Sequence, residues 1–232
     1  MKNAVITGSS RGLGKAIALR LADEGYHVHL SARGEAELQE VTQCIEKGGK
    51  GKANYRVVDF GKTAEVSAYA QSLTGDLVSI DVLVNNVGIY QLDDVTGGLA
   101  HLDQQMAVNF HAPVALTQGL MERLTVQKHG HIFNIASVVN REPRASAASY
   151  SMAKAAFFAY HRLLHQQLKP IGVKVTAFLP ASVNTSSWDG IEAPKHQFIQ
   201  PEDIADLLVT ILNSKAGTVV SEIDLTTLHP DY

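Results

Sequence analysis

Ala4-Val5-Ile6-Thr7-Gly8-Ser9-Ser10-Arg11-Gly12-Leu13-Gly14 forms the first unit that can be read from the sequence. An apolar run passes into a glycine-rich turn, and Leu13, Ile17 and Leu21 then recur at helical spacing. A strand, a glycine turn and a helix start make a phosphate cradle. Glycines let the backbone approach a pyrophosphate, and the first helical turn offers free N–H groups and positive potential. The competing reading of the same residues is a plain tight turn.

Outward from this unit the chain keeps alternating. Short apolar runs at 28–30, 55–58, 80–84, 131–136, 173–178 and 219–225 read as strands. Helical patterns lie between them, at 13–24, 35–47, 63–73, 102–126, 149–168 and 201–212, with a bend expected near Pro113 in the fourth. Such alternation predicts an α/β fold: a doubly wound parallel sheet of about seven strands, with helices on both faces. One domain over 1–232 is expected, because no repeat, low-complexity tract or linker divides the chain. The connection at about 180–200 is long for a compact domain and is expected to lie over the substrate.

Composition excludes several classes. At 45% hydrophobic and 19% charged, the 232 residues are too apolar for disorder. The net charge of −3 comes without a basic stripe, which argues against a nucleic-acid partner. No stretch reaches the roughly 20 apolar residues of a membrane span. The short run before Thr7 leaves no room for a secretory signal, so a cytoplasmic location is expected. A single cysteine, Cys44, rules out an internal disulfide framework.

Further residues stand at telling places. Asn85-Asn86-Val87-Gly88 follows the fourth strand, Asn109 sits in the next helix, and Ser137 follows the fifth strand. Tyr150 and Lys154, four apart, share a helix face. Pro180 to Thr185 follows the sixth strand. With the Thr7-Gly-x-x-x-Gly-x-Gly turn, this ordered set resembles the short-chain dehydrogenase/reductase family over about residues 2–212. Val87 and Ala181 replace the family's more usual Ala and Gly. The resemblance implies a Rossmann-type fold and hydride transfer between a nicotinamide cofactor and a carbonyl or alcohol.

The catalytic set is then Asn109, Ser137, Tyr150 and Lys154. A tyrosine of pKa about 10 is a poor base at neutral pH, and a nearby ammonium is expected to pull that value down. Tyr150 thus becomes the acid or base, and Ser137 can donate a hydrogen bond to the substrate carbonyl. The resemblance further implies that Lys154 binds the nicotinamide ribose and that Asn109 holds a water relaying protons to it.

The same resemblance places Gly8, Ser10, Arg11, Gly12, Leu13, Gly14, Asp59, Asn86, Gly88, Tyr150, Lys154, Pro180, Val183 and Thr185 at the cofactor. Asp59 would meet the adenine, Asn86 and Gly88 would line the adenosine side, and Thr185 would bond the carboxamide. An NAD enzyme wants a carboxylate at the end of the second strand, where Ala32 stands and Arg33 follows. Arg33 and Arg11 suit a 2′-phosphate, since arginine binds phosphate through a rigid fork; NADP(H) is the expected cofactor.

Trp188, Ile191 and Phe198 are candidates for apolar substrate walls, or simply pack the loop. Val139, Arg141 and Arg144 are candidates to face the substrate. That substrate is a small carbonyl or alcohol compound, free or borne on an acyl carrier. His161 and His165, four apart, have zinc-like spacing but lack the glutamate of His-Glu-x-x-His, so no metal is expected. Cys44 sits in a peripheral helix. Small residues Ala153, Ala155 and Ala156 suit a homodimer, while a tail without the family's glycine pattern puts a tetramer in doubt. The competing function is a non-catalytic NADPH-sensing regulator on the same fold, which has no need of the four catalytic residues.

Overall fold

The computed structural model describes residues 1–190 and 192–228. Ile191 and the last four residues of the tail lie outside the described residues. The strands are β1 (Asn3–Thr7), β2 (His27–Ala32), β3 (Lys52–Val57), β4 (Val82–Asn85), β5 (His131–Ile135), β6 (Lys174–Pro180) and β7 (Glu222–Leu225). They form one seven-stranded sheet in the order β3-β2-β1-β4-β5-β6-β7, with every ladder parallel.

The apolar runs are continuous because both faces of the sheet are covered. The pleat then sends alternate residues to opposite layers. Ala4 and Ile6 of β1 join Ile17 and Leu21 of α1 (Gly12–Asp23), Leu38 and Val41 of α2 (Glu35–Gly48) and Leu208 of α7 (Pro201–Leu212). Val5 between them joins the other layer, with Val66 and Leu73 of α3 (Thr63–Asp76), Leu116 and Leu120 of α5 (Ala112–Gln127) and Leu164 of α6 (Ala148–Leu168). Each fully buried Leu or Ile contributes about 1.5–3 kcal/mol, so these two layers hold the strand ends rigidly under the site.

Three boundaries differ from the sequence reading. β3 begins at Lys52, paired with His27, because this edge strand alternates exposed Lys52, Asn54 and Arg56 with half-buried Ala53 and Tyr55 and so shows no apolar run. β7 is shorter than expected and carries Glu222 and Asp224 on an only partly covered edge. The long fourth helix is three pieces: α4 (Leu99–Met106), a π-helical turn over Ala107–His111, and α5, with Pro113 in its first turn. The irregularity precedes the proline. Pro113 lacks the N–H that a regular helix would aim at the carbonyl of Asn109.

Candidate active site

Adjacent strands β1 and β4 run on to opposite sides of the sheet, and ligands of open α/β sheets sit in the crevice outside such a switch. The glycine-rich turn forms one wall. Gly8 (φ +65°) and Gly12 (φ +53°) adopt left-handed backbone. A Cβ on Gly14 would strike the Gly8 carbonyl and lie 2.5 Å from Asn86 Nδ2; one on Gly12 would lie 3.2 Å from the Thr185 side chain. The turn is therefore held close on both sides, by Asn86 and by Thr185.

Hydrogen bonds stitch the turn to its neighbours. The Gly8 N–H donates to the Ser31 carbonyl (2.8 Å), and Ser9 Oγ accepts from the Ser31 N–H (2.9 Å). Asn86 Nδ2 donates to the carbonyls of Thr7 (2.9 Å) and Gly8 (3.1 Å). Thr7 Oγ1 accepts from the N–H groups of Asn86 and Val87, both at 3.0 Å. Asn86 thus works on the backbone of the turn. The Ser9–Ser31 pair was not singled out in the sequence, where two serines on separate elements carry no visible signal.

Arg11, before α1, and Arg33, after β2, are both exposed, and Ala32 beside Arg33 is buried. Glu37, in the first turn of α2, folds back over Gly34. Asp59 Oδ1 accepts from the Gly61 N–H at 3.0 Å and so caps the turn after β3. Ser10 is half-buried within the turn, and Leu13 is buried behind it.

The opposite wall carries the titratable groups. Ser137 starts the segment after β5, where its N–H donates to Asn140 Oδ1 (3.1 Å). Tyr150 and Lys154 lie on α6. Lys154 is 4% exposed; its Nζ donates to the Ile135 carbonyl (2.8 Å) and stands 5.8 Å from the Tyr150 ring centre. Burial pushes this ammonium down to about 8. Burial likewise pushes the Tyr150 hydroxyl up to about 12, partly opposed by the Ser137 hydroxyl and by the charge of Arg144. The expected lowering of Tyr150 by Lys154 is therefore overturned in this geometry: one packing dehydrates both groups, and the ammonium is turned to a carbonyl.

Asn109 sits in the π turn, 1% exposed. Its Oδ1 accepts from the Ile89 N–H (3.1 Å), and its Nδ2 donates to the Ile89 carbonyl (3.0 Å) and to Gln105 Oε1 (2.6 Å). Gly88 lies against this group: a Cβ there would be 2.9 Å from Asn109 Oδ1 and 3.7 Å from Lys154 Nζ. Gly88 thus lies beside Lys154. Two neighbours were missed from sequence. Tyr90 stands edge-on to Tyr150 at 5.0 Å. Asp93 accepts from the Ser149 N–H (3.2 Å), fixing its segment to the start of α6.

The long loop folds onto the turn. Val183 bridges to Ile199, and Thr185 starts a short 3-10 turn. Gly12, Lys15, Asn184, Thr185, Lys195 and Gln200 line an open groove of ≈ 510 Å³ there. Trp188 packs on Phe198 (4.8 Å), which is itself buried, so this pair consolidates the loop; Ile191 lies outside the described residues. Pro180 closes β6.

Other candidates are placed elsewhere. Val139 is core. Arg141 does not face the substrate side: it is bound to Glu222 (2.6 Å) and Asp224 (3.0 Å) on β7, because that partly covered edge presents two carboxylates. Arg144 is half-buried, near enough for its charge to act on Tyr150. His161 Nδ1 accepts from Asn134 Nδ2 (3.3 Å), whose Oδ1 accepts from Asn85 Nδ2 (2.9 Å), while His165 Nδ1 donates to the Val175 carbonyl (3.1 Å). Ala153 is buried, so of the small-residue run only Ala155 and Ala156 reach the surface of α6.

The profile of the short chain dehydrogenase family matches residues 2–195, and the chain belongs to that family. Similar chains include an uncharacterized oxidoreductase of Staphylococcus epidermidis, 29% identical over 225 residues, covering 97% of this chain and 96% of that one. A counterpart from Staphylococcus aureus is 29% identical over 223 residues, covering 96% and 95%. Among solved structures, a metagenomic short-chain oxidoreductase in complex with NADP is 29% identical, with TM-score 0.86 and coverage of 99% and 98%. L-sorbose reductase from Gluconobacter frateurii, complexed with NADPH and L-sorbose, is 25% identical, with TM-score 0.88 and coverage of 99% and 97%. The chain is thus an oxidoreductase. Among the described residues, no helix is long and apolar enough to cross a membrane.

Proposed function

We propose that this oxidoreductase reduces a small carbonyl compound with NADPH, Tyr150 acting as the proton donor. The carrying observation is the Tyr150 hydroxyl, held protonated beside Ser137 and next to the buried ammonium of Lys154. A neutral phenol can give a proton to a carbonyl oxygen, as reduction requires.

The glycine turn fits a dinucleotide, since Gly8 and Gly12 take left-handed backbone that leaves the turn without side chains, at the N-terminus of α1. Arg11 and Arg33 would hold a 2′-phosphate, and Thr185 and Lys154 the nicotinamide end. When bound, the dinucleotide supplies the hydride that adds to the carbonyl carbon. Ser137 orients the carbonyl oxygen. Tyr150 gives that oxygen its proton, and the product is the alcohol. Lys154 places positive charge beside the phenolate that remains.

The rim favours a free, uncharged substrate over one borne on an anionic carrier. No lysine or arginine occurs between Lys62 and Arg123, a stretch that includes the whole β4–α4 rim with Asp93, Asp94 and Asp103. Of the two arginines between Ser137 and Tyr150, Arg141 is bound on β7, while Arg144 stays near Tyr150.

The test follows NADPH oxidation against a panel of aldehydes, ketones, diketones and 3-oxoacyl thioesters, with Tyr150→Phe alongside. Turnover that falls by about 10²–10⁴-fold in the variant, with NADPH affinity retained, is expected. Tight NADPH binding with no turnover on any substrate would favour a sensing role instead, and equal rates in the variant would remove Tyr150 from the chemistry.

A further inference from the structure

Gln105 is a polar side chain where the fold offers an apolar place. It is 1% exposed, on the face of α4 that packs against α6. Its Oε1 accepts from Asn109 Nδ2 at 2.6 Å, while its own Nε2 is buried with no partner among the described residues. Folded proteins rarely leave such a donor unpaired without a reason. A leucine would fill the same volume without that cost, so the gain from Gln105 must lie in what Oε1 does.

What Oε1 does is complete Asn109. One Nδ2 hydrogen of Asn109 goes to the Ile89 carbonyl and the other to Gln105, while Oδ1 takes the Ile89 N–H. With both hydrogens held, the carboxamide has one orientation and no donor to spare for a water. Ile89 is gripped at both its backbone groups. Its neighbours are the two residues that meet the chemical groups: Gly88, pressed against Asn109 and near Lys154 Nζ, and Tyr90, edge-on to Tyr150.

We propose that Gln105 is a positioning residue of the active site. By locking Asn109 onto Ile89 it sets the Gly88–Tyr90 floor against Lys154 and Tyr150. The proposal rests on the reductase reading for its kinetic consequence but not for its structural one, and the experiment separates the two.

Gln105→Leu removes the acceptor and the orphan donor together, and Gln105→Met, of similar length, stands in if the leucine variant does not fold. Gln105→Glu keeps an acceptor. Loss of the acceptor is expected to lower kcat about tenfold, with the NADPH dissociation constant within about twofold and Tm unchanged or higher. Hydrogen exchange at the Ile89 amide should speed up about tenfold, and Gln105→Glu should stay within about threefold of wild type in both readouts. Unchanged Ile89 exchange in Gln105→Leu overturns the clamp. So does a fall in kcat accompanied by an equal loss in Gln105→Glu and a lower Tm, the pattern of a merely structural residue. Should wild type reduce none of the carbonyls, the reductase reading fails, while Ile89 exchange still decides the clamp.

Discussion

The glycine-rich turn and the start of α6 flank one crevice and are made in opposite ways. At the turn, small residues leave the backbone bare, and neutral hydrogen bonds to β2 and to Asn86 hold it. At α6, long titratable side chains are dried by packing, and their charge states follow from that dryness. The first wall is a matter of steric space, decided within a few residues. The second is a matter of electrostatics, decided by segments far apart in the chain.

If the turn is purely a question of space, one methyl group should break it. Gly14→Ala drives a carbon into the Gly8 carbonyl, so a loss of about 1–3 kcal/mol is expected, read as a Tm drop of roughly 2–4 °C per kcal/mol, with NADPH binding lost as well. Gly75→Ala, where nothing lies within 4 Å of the new carbon in α3, should be neutral or gain about 0.4–1 kcal/mol. Equal Tm values for the two variants would refute the steric account.

The turn's side of the crevice carries the exposed Arg11 and Arg33. Replacing Arg11 and Arg33 by serine is expected to raise KM for NADPH roughly 10–100-fold, the worth of one charge-assisted hydrogen bond, and to leave KM for NADH nearly unchanged. A parallel rise for both cofactors would show the arginines to be general structural residues. Glu37, folded over Gly34 beside Arg33, makes this the sharper test of cofactor preference.

The dryness of α6 predicts a smaller, pH-dependent effect in the protein free of dinucleotide. Lys154 titrates near 8 when folded instead of its ordinary 10.5. Between those values the unfolded chain holds the proton that the folded chain has lost, so this group adds stability as pH rises from about 8 to 10.5. Tyr150, raised to about 12, adds stability below pH 10 that is lost as pH climbs through 12. The Tm difference between wild type and Lys154→Met should therefore shift in favour of wild type from pH 7 to pH 10. A flat difference would mean that Lys154 is wetter than its surroundings suggest.

The same contrast explains what could be read from the sequence. The turn was legible because glycine spacing after an apolar run states its geometry outright, and Tyr150, Lys154, Ser137 and Asn109 were legible as an ordered set. Their electrostatics were not. That Lys154 turns to the Ile135 carbonyl, and that burial raises Tyr150, depends on β5 packing beneath α6. Arg141 looked like a substrate contact because nothing local tells that Glu222 and Asp224 lie across from it. Gln105 gave one faint signal, its position four residues before Asn109. The edge strand β3 was cut short because half its residues face water and break the apolar run.

The π turn at Ala107–His111 also acts as a frameshift in the helix. Each residue of a regular helix turns the next by about 100°, so one extra residue in a single turn rotates everything after it by that amount. The rod from α4 to α5 is thereby read in two phases: its first half addresses α6 and the catalytic wall, its second half addresses α3 and the core. Deleting one residue from that turn would restore a uniform helix and put the two halves in a single phase. Gln105 and Leu116 could then no longer both face their present partners.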